Sequence, residues 1–333
     1  MAESSFPSVV VVTGAGAGLG RATARAFAQR GAAVGLLGRD AGRLEAAAHE
    51  IRAMGRRASI CVCDVADADA VERAAAHVES ELGPIDVWVN NAMATIFSPV
   101  RRISAAEFRR ATEVTYLGTV YGTMAALARM VPRNRGTIVQ VGSALAYRAI
   151  PLQAPYCGAK FAIRGFTDAL RTELLHDRSR VHVTMVQMPA LDTPQFEWAC
   201  NHMPRRPQPV PPIFAPETGA RAVVWAATHR RREVYVGLPS LQAIWATKLF
   251  PGLLDRLLAR KGYAAQLTSE PAGASRPDNL WRPVPGNYAA HGRFGAREQR
   301  GRVQVWLTLH RAGVVAGAAS LAALCWLAPR LKR

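Results

Sequence analysis

The chain has 333 residues, half of them hydrophobic and a fifth charged, which suits one large domain with extensions or two modest domains. Its net charge is +18, but residues 200–333 hold 20 of the 42 Lys and Arg residues and only 6 of the 24 Asp and Glu residues. The excess is almost all arginine, and no recognised nucleic-acid-binding module or aromatic–basic stripe accompanies it. We therefore expect no nucleic-acid partner, whereas an anionic membrane surface would suit the basic C-terminal third.

The cysteines indicate a reducing compartment. There are five, an odd and scattered set that does not fit a disulfide framework. Cys61 and Cys63 alternate in an apolar strand, so a core position is favoured over a metal site, and we predict no metal. Residues 1–8 show no charged segment followed by an apolar one. No secretion signal is predicted there, and we expect a cytoplasmic protein.

Short apolar, β-branched runs alternate with helical stretches from Ser8 onward. Helices are predicted over 19–30, 41–54, 67–82 and about 104–131, and another opens at Pro155. Strands are predicted over 9–12, 33–37, 59–63, 85–89, 137–141, 181–186 and 233–236. Apolar strands that alternate with helices indicate βαβ units. The predicted fold is α/β, a Rossmann-like doubly wound parallel sheet of about seven strands in one domain.

Domain boundaries follow from the breaks in this rhythm. The α/β domain is predicted over residues 8–262. Within it, residues 189–216 hold eight prolines and are predicted to form a surface loop. Residues 263–302 are polar and rich in Gly, Pro and Arg, which predicts an extended or partly disordered tail. Residues 303–333 are predicted to form a hydrophobic C-terminal helix with a basic end.

The C-terminal helix has two interpretations. Residues 312–328 carry no charge, and Arg330, Lys332 and Arg333 follow. A helix of that length spans only about 25 Å, short of the roughly 30 Å hydrocarbon core. We predict membrane association through residues 303–328, with the basic end on anionic head groups. A helix that covers a neighbouring subunit of a homo-oligomer is equally consistent with the sequence.

A glycine-rich loop joins the first strand to the first helix. It reads Thr13-Gly14-Ala15-Gly16-Ala17-Gly18-Leu19-Gly20. Glycines at this place allow backbone N–H groups and the helix N-terminus to approach a pyrophosphate closely. We predict that this loop binds a dinucleotide cofactor, through the residues Thr13, Gly14, Gly18, Leu19 and Gly20.

The end of the second strand indicates which dinucleotide binds. An acidic residue there would bind the ribose hydroxyls of NAD, but the chain has Gly38 and Arg39. Arginine pairs with a 2′-phosphate, so we predict NADP(H) in preference to NAD. The alternative is an ordinary surface arginine in an arginine-rich chain.

The ends of the third and fourth strands add further candidates. Asp64 and Val65 follow the third strand, where they can cap the adenine edge. Asn90, Asn91 and Ala92 end the fourth strand, where side-chain amides can tie the sheet together beside the cofactor. All five are predicted to belong to the cofactor site.

The strongest catalytic signal is the set Ser143, Tyr156 and Lys160. Tyr156 and Lys160 are four residues apart, so they share one face of the helix that opens at Pro155. Ser143 follows the fifth strand, at the sheet edge where open α/β sheets bind ligands. A phenol is a poor acid–base catalyst at neutral pH, but a neighbouring ammonium lowers its pKa.

The order Thr-Gly-x-x-x-Gly-x-Gly, Asn-Asn-Ala, Ser and Tyr-x-x-x-Lys resembles the main branch of the short-chain dehydrogenase/reductase family over about residues 8–240. The resemblance implies that Tyr156 exchanges the substrate proton and that Ser143 orients the carbonyl oxygen. It also implies that Lys160 lowers the pKa of the tyrosine and binds the nicotinamide ribose. Gly14, Gly18 and Gly20 match the family's cofactor glycines, and Asp64 matches its adenine-contacting aspartate.

Three departures from the family pattern lie on the nicotinamide and substrate side. Met93 follows Asn-Asn-Ala in place of a glycine. Thr115 stands where the family has an asparagine that holds a water chain to the lysine, and we expect its hydroxyl and carbonyl to retain that relay. Pro189-Ala190 replaces Pro-Gly, and Thr193 comes one residue early. Pro189 and Thr193 are predicted to contact the cofactor.

The predicted activity is hydride transfer between NADP(H) and a carbonyl or secondary alcohol of a small hydrophobic substrate. An apolar pocket under the proline-rich loop could be lined by Leu145, Ala146, Phe196 and Trp198. Alternatively, these four side chains belong to the hydrophobic core. Two alternatives remain: a non-catalytic, membrane-tethered regulator that binds NADP(H), and an epimerase or dehydratase.

Overall fold

Seven parallel strands form the central sheet of the computed structural model, which describes residues 6–273, 276–299 and 302–310. The strand order is β3-β2-β1-β4-β5-β6-β7. This order reverses between β1 and β4, which opens a crevice at the carboxyl ends of the strands. The fold class predicted from the sequence is confirmed. The strands are β1 Val9–Thr13, β2 Ala33–Gly38, β3 Ala58–Val62, β4 Val87–Asn90, β5 Thr137–Ser143, β6 His182–Met188 and β7 Glu233–Tyr235.

Helices cover both faces of the sheet. On one face, Val10 and Val12 of β1 pack with the helices that begin at Gly18, Ala41 and Pro216. On the other face, Val9 and Val11 pack with the helices that begin at Ala68, Gly118 and Ala154. Successive strand residues point to opposite faces, so a continuous apolar run supplies two cores. The helices are α1 Gly18–Ala28, α2 Ala41–Ala53, α3 Ala68–Leu82, α4 Ala105–Thr112, α5 Gly118–Met130, α6 Ala154–His176, α7 Gln195–Trp198, α8 Pro216–Thr228, α9 Leu238–Leu249, α10 Pro251–Ala265 and α11 Arg302–Leu309.

Most predicted elements agree with the structure to within one or two residues. The helix predicted over about 104–131 is interrupted by a π-helical turn at Glu113–Leu117, which separates α4 from α5. The proline-rich stretch is mostly irregular but contains α7 and three short strands, at Cys200–Asn201, Arg205–Pro207 and Ile213–Phe214. The sequence analysis did not predict α8, α9 or α10.

The segment after α10 is irregular, as predicted, but it packs against the domain. Residues 276–299 bury Leu280, Val284 and Phe294. The short strand Glu298–Gln299 pairs in parallel with Ile213–Phe214. The sequence predicts an extended or partly disordered tail, and apolar side chains spaced along this polar segment anchor residues 276–299 to the domain.

The structure describes only the first part of the predicted C-terminal helix, up to His310. Leu309, at the end of α11, packs against the core that contains α8. Residues 312–328 lie outside the described residues. Among the residues that the structure describes, no helix is both long and apolar enough to cross a bilayer.

Candidate active site

A cleft of about 420 Å³ runs along the carboxyl edge of the sheet. That volume is typical of sites for small molecules and cofactors. Residues from five strand ends and from the loop after β6 surround it. The predicted site residues that line the cleft are Gly14, Gly18, Leu19, Arg39, Asp64, Val65, Asn91, Ala92, Ser143, Tyr156, Lys160, Pro189 and Thr193.

The glycine loop is shaped by close backbone approach. Gly14 and Gly18 have φ of +67° and +57°, which favour glycine. A Cβ on Gly20 would lie 2.1 Å from the carbonyl oxygen of Gly14. The loop therefore lies tight on the start of α1, and its N–H groups can face a phosphate in the cleft.

Hydrogen bonds fix the strand ends beside this loop. The Thr13 hydroxyl accepts from the backbone N–H groups of Asn91 and Ala92, at 2.9 and 3.0 Å. The Asn91 amide donates to the Thr13 carbonyl at 2.9 Å. The Asn90 amide is buried and donates to Thr123 and Gln140. Thr13 and Asn90 thus tie the sheet together, as predicted for the strand-end amides, but lie behind the cleft wall.

Ser143, Tyr156 and Lys160 converge on one end of the cleft. Ser143 ends β5, and its hydroxyl accepts from the backbone N–H of Leu145 at 3.1 Å. The Lys160 ammonium donates to the carbonyl of Val141 at 2.6 Å and lies 5.5 Å from the Tyr156 ring centroid. The C-terminal end of strand β5 therefore holds both Ser143 and Lys160 in place.

Burial dominates the electrostatics of these groups. It raises the pKa of Tyr156 above its ordinary value, and the hydrogen bond from Ser143 opposes that shift only in part. Burial lowers the pKa of Lys160 to about 8. The net shift of the tyrosine pKa is opposite to the lowering predicted from the sequence, because loss of water disfavours phenolate more than its neighbours favour it.

Thr115 lies apart from the three converging residues. It is fully buried in the π-helical turn, where its hydroxyl donates to the Ala94 carbonyl and accepts from the Ala94 N–H, both at 3.0 Å. Its own carbonyl accepts from Thr119 at 2.9 Å. These bonds hold the turn after β4. The role of Thr115 in a water relay to the lysine stays a prediction.

At the adenosine end of the cleft, Arg39 is bound to backbone carbonyls and is not a free surface side chain. Arg39 donates to the carbonyls of Asn279 and Trp281, at 2.5 and 3.2 Å. Its guanidinium lies 3.9 Å from Asp64, which also binds Arg110. Sequence reasoning missed Arg110 and the carbonyls beyond residue 275, because no periodic pattern marks contacts so distant along the chain.

The opposite end of the cleft is largely apolar. Met93, Leu145 and Phe196 line it, together with the loop 209–212. Trp198 also lines the cleft but lies at the adenosine end, where its ring centroid is 4.7 Å from the Arg43 guanidinium and its carbonyl accepts from the Asn279 N–H at 2.9 Å. Ala146 is fully buried and belongs to the core. The proline-rich loop therefore does border the cleft.

Within the part of the chain that the structure describes, two groups of side chains have metal-ligand atoms within 4.8 Å of one another. In the first, His202 pairs with Glu107 at 2.8 Å. In the second, His291 pairs with Glu217 and Glu298, at 3.0 and 3.2 Å. Each histidine is thus partnered by carboxylates, and we assign no metal site to either group, Glu107–Cys200–His202 or Asp192–His291–Glu298.

Comparison with known proteins identifies the family. The family model described as short chain dehydrogenase matches residues 8–201. The chain therefore belongs to the short-chain dehydrogenase family and is an oxidoreductase of that family. Oxidoreductase YxnA of Bacillus subtilis is 32% identical over 275 residues, which cover 82% of this chain and 77% of that protein. Oxidoreductase SadH of Mycobacterium tuberculosis is 31% identical over 77% of this chain and 96% of its own length.

Solved structures agree with this assignment. A metagenomic short-chain oxidoreductase in complex with NADP has a TM-score of 0.59 and 28% identity, and covers 69% of this chain and 96% of its own. An alcohol dehydrogenase from Thermococcus sibiricus, complexed with 5-hydroxy-NADP, has a TM-score of 0.59 and 29% identity over 68% of this chain and 95% of its own. An NAD⁺-bound xylitol dehydrogenase has a TM-score of 0.53 and 30% identity over 55% of this chain and 70% of its own.

The buried ammonium of Lys160 predicts a pH dependence of stability. Its pKa is about 8 in the folded chain against an ordinary value of 10.5. Between these values the unfolded chain binds more protons, so the contribution of this group to the free energy of unfolding rises with pH. The free energies of unfolding of Lys160→Met and of the wild type are measured by urea denaturation. The value for Lys160→Met minus the value for the wild type should therefore fall from pH 7 to pH 10. Lys248→Met, at an exposed site on α9, is the control, and a difference that stays constant with pH would contradict the prediction.

Proposed function

We propose that the protein transfers a hydride between NADP(H) and a carbonyl or secondary alcohol of a hydrophobic substrate, with Tyr156 as the general acid and base. The observation that carries the proposal is that Ser143, Tyr156 and Lys160 line the same cleft as the glycine loop. Acid–base residues and a phosphate cradle along one sheet edge suit a reaction in which cofactor and substrate meet.

The cleft fits a dinucleotide. A Cβ on Gly18 would lie 3.3 Å from that of Thr193, so a side chain would narrow the passage between the two. The N-terminus of α1 has no side-chain cap, and its dipole favours an anion. Gly14, Gly18 and Leu19 line the cleft and would form the pyrophosphate cradle, with Thr13 and Gly20 supporting it from behind. Val65, Asn91 and Ala92 would flank the adenosine, and Pro189 and Thr193 the nicotinamide.

Proton transfer is assigned to the tyrosine. Lys160 would hold the nicotinamide ribose, and a bound nicotinamide would supply the hydride for reduction of a carbonyl carbon. The Tyr156 hydroxyl would donate its proton to the carbonyl oxygen. Ser143 donates a hydrogen bond to the same oxygen. A neutral phenol suits this direction, and the positive charge of Lys160 favours the phenolate that remains.

The preference for NADP(H) rests on charge. Arg39, Arg43 and Arg110 gather at the adenosine end, where Asp40 and Asp64 are their acidic partners. Three guanidinium groups beside two carboxylates leave an excess of positive charge, which favours a 2′-phosphate. Two of the solved relatives were crystallised with NADP or a derivative, and the third with NAD⁺.

The proposal extends to the type of substrate and to the location and oligomeric state of the protein. The wall of Met93, Leu145 and Phe196 suits a hydrophobic substrate. We further propose a cytoplasmic homo-oligomer that associates with membranes through residues 303–328. Residues 312–328 carry no charge and precede three basic residues, and the Trp306 side chain is exposed.

Replacing Tyr156 with phenylalanine should abolish turnover and leave NADPH binding nearly intact. Only the hydroxyl is lost, so proton transfer suffers by at least about a hundredfold in kcat while the cofactor cradle is unchanged. The loss is measured by NADPH absorbance across a panel of ketones and aldehydes. Tyr147→Phe is a matched control, because Tyr147 bonds Glu233 outside the cleft. Near wild-type activity of Tyr156→Phe would refute the assignment.

Arg39→Asp should shift the cofactor preference from NADP(H) towards NAD(H). It replaces an attractive charge near the 2′-phosphate with a repulsive one, so the ratio of kcat/KM for the two cofactors should change by at least about tenfold. Arg56→Asp, at an exposed site after α2, controls for net charge. A wild type that already prefers NADH would refute the reading of Arg39.

Membrane association is tested by comparing the full chain with a version that ends at His310, which keeps every described residue. The full chain alone should appear in the membrane fraction, resist high salt and be released by detergent, because apolar insertion is insensitive to ionic screening. If both versions stay in the soluble fraction, residues 303–328 do not anchor the protein.

A further inference from the structure

Residues 276–298 cross the outside of the cofactor cleft from its adenosine end to the loop after β6, and we call them the strap. The strap has little regular structure, apart from one 3-10 turn and the start of the Glu298–Gln299 strand. Two of its residues, Asn279 and Pro283, line the cleft beside Arg39 and Asp64. The strap is therefore a wall of the cleft as well as a covering of the domain.

Three arginines hold the strap at the adenosine end through its backbone. Arg39 donates to the carbonyls of Asn279 and Trp281, and Arg110 donates to that of Leu280 at 3.1 Å. Arg43 donates to the carbonyl of Val284. Side chains add to these bonds, because Leu280 is 1% exposed and packs in the core under α3 and α5.

The middle of the strap lies against the glycine loop. The backbone N–H of Gly18 donates to the carbonyl of Ala289 at 3.0 Å, and Arg21 donates to that of Tyr288 at 3.2 Å. The Tyr288 ring meets the Trp198 ring edge-on, with centroids 4.7 Å apart. The strap thus touches the start of α1, where a pyrophosphate would bind.

The far end of the strap is fixed to the loop after β6. The N–H of Phe294 donates to a carboxylate oxygen of Asp192 at 3.1 Å, and that of Gly292 donates to its carbonyl at 3.3 Å. A Cβ on Gly292 would lie 2.5 Å from the same carboxylate. Asp192 directly precedes Thr193, so this end is fixed beside the nicotinamide end of the cleft.

We propose that the strap is part of the cofactor site, that it completes the adenosine pocket, and that it must lift for the cofactor to exchange. The proposal rests on the proposed use of a nicotinamide cofactor. The strap carbonyls hold the guanidinium groups of Arg39, Arg43 and Arg110 at the place where a 2′-phosphate would lie. Affinity for the adenosine half therefore depends on residues more than 230 positions further along the chain than Arg39.

The first test uses the unaltered full chain. Hydrogen–deuterium exchange is followed with and without NADPH, in peptides that cover the strap and in peptides that cover the glycine loop. NADPH should slow exchange in both, including at the Gly292 and Phe294 amides, because a bound cofactor opposes lifting of the strap. Protection of the glycine loop with unchanged exchange in the strap would overturn the proposal.

The second test loosens the strap without touching the cleft lining. Leu280→Ala removes a buried anchor of the strap, and Leu174→Ala, at a buried site near the end of α6 in the same core, is the matched control. Stopped-flow displacement should show NADPH leaving Leu280→Ala at least about tenfold faster than the wild type, with Leu174→Ala within about twofold.

Cofactor fragments show which half the strap serves. Leu280→Ala should bind adenosine 2′,5′-bisphosphate more weakly than the wild type and reduced nicotinamide mononucleotide equally well. Equal weakening of both fragments, equal release from both leucine variants, or tighter NADPH binding by Leu280→Ala would overturn the strap proposal alone. If neither the wild type nor a variant bound any nicotinamide cofactor, the proposed function would fail, and the strap proposal with it.

Discussion

The register of four neighbouring parallel strands, β1, β4, β5 and β6, sets the positions of the glycine loop, Asn91 and Ser143 in the cleft. Val12 of β1 lies beside Val89 of β4, and Ser143 of β5 lies beside Met188 of β6. The residues that follow these strands therefore emerge at one edge of the sheet. Hydrogen bonds of Thr13 with the turn after β4 keep the ends of β1 and β4 together, so the glycine loop and the set Ser143, Tyr156 and Lys160 share one cleft.

Burial shifts the pKa values of Tyr156 and Lys160, two of the titratable groups in that cleft, in opposite directions. It raises the pKa of Tyr156 and lowers that of Lys160, so each tends towards its neutral form. The phenol is neutral at neutral pH, while a lysine with a pKa of about 8 still carries its charge there. The charge of Lys160 is thus kept in a poorly solvated place, 5.5 Å from the centroid of the Tyr156 ring.

The strap is a segment that this chain adds to its α/β domain. It follows α10 along the chain and lies at the sheet edge, where its carbonyl groups accept hydrogen bonds from Arg39, Arg43 and Arg110. Arginine has no acceptor and five donors, so it can bind carbonyls of the strap and still offer donors to a phosphate. The same segment contacts α1 and the loop after β6, which together frame the rest of the cleft.

Local patterns in the sequence determined the sheet, the glycine loop and the set Ser143, Tyr156 and Lys160, because strand periodicity, turn chemistry and helical spacing act over a few residues. The tertiary structure decided what distant segments do. It joined Arg39 to the strap and Thr115 to Ala94, and it placed Ala146 in the core. It also decided the direction of the tyrosine pKa shift, since burial depends on every element packed around the ring. Contacts between residues hundreds of positions apart leave no periodic trace in one sequence, so only the folded chain reveals them.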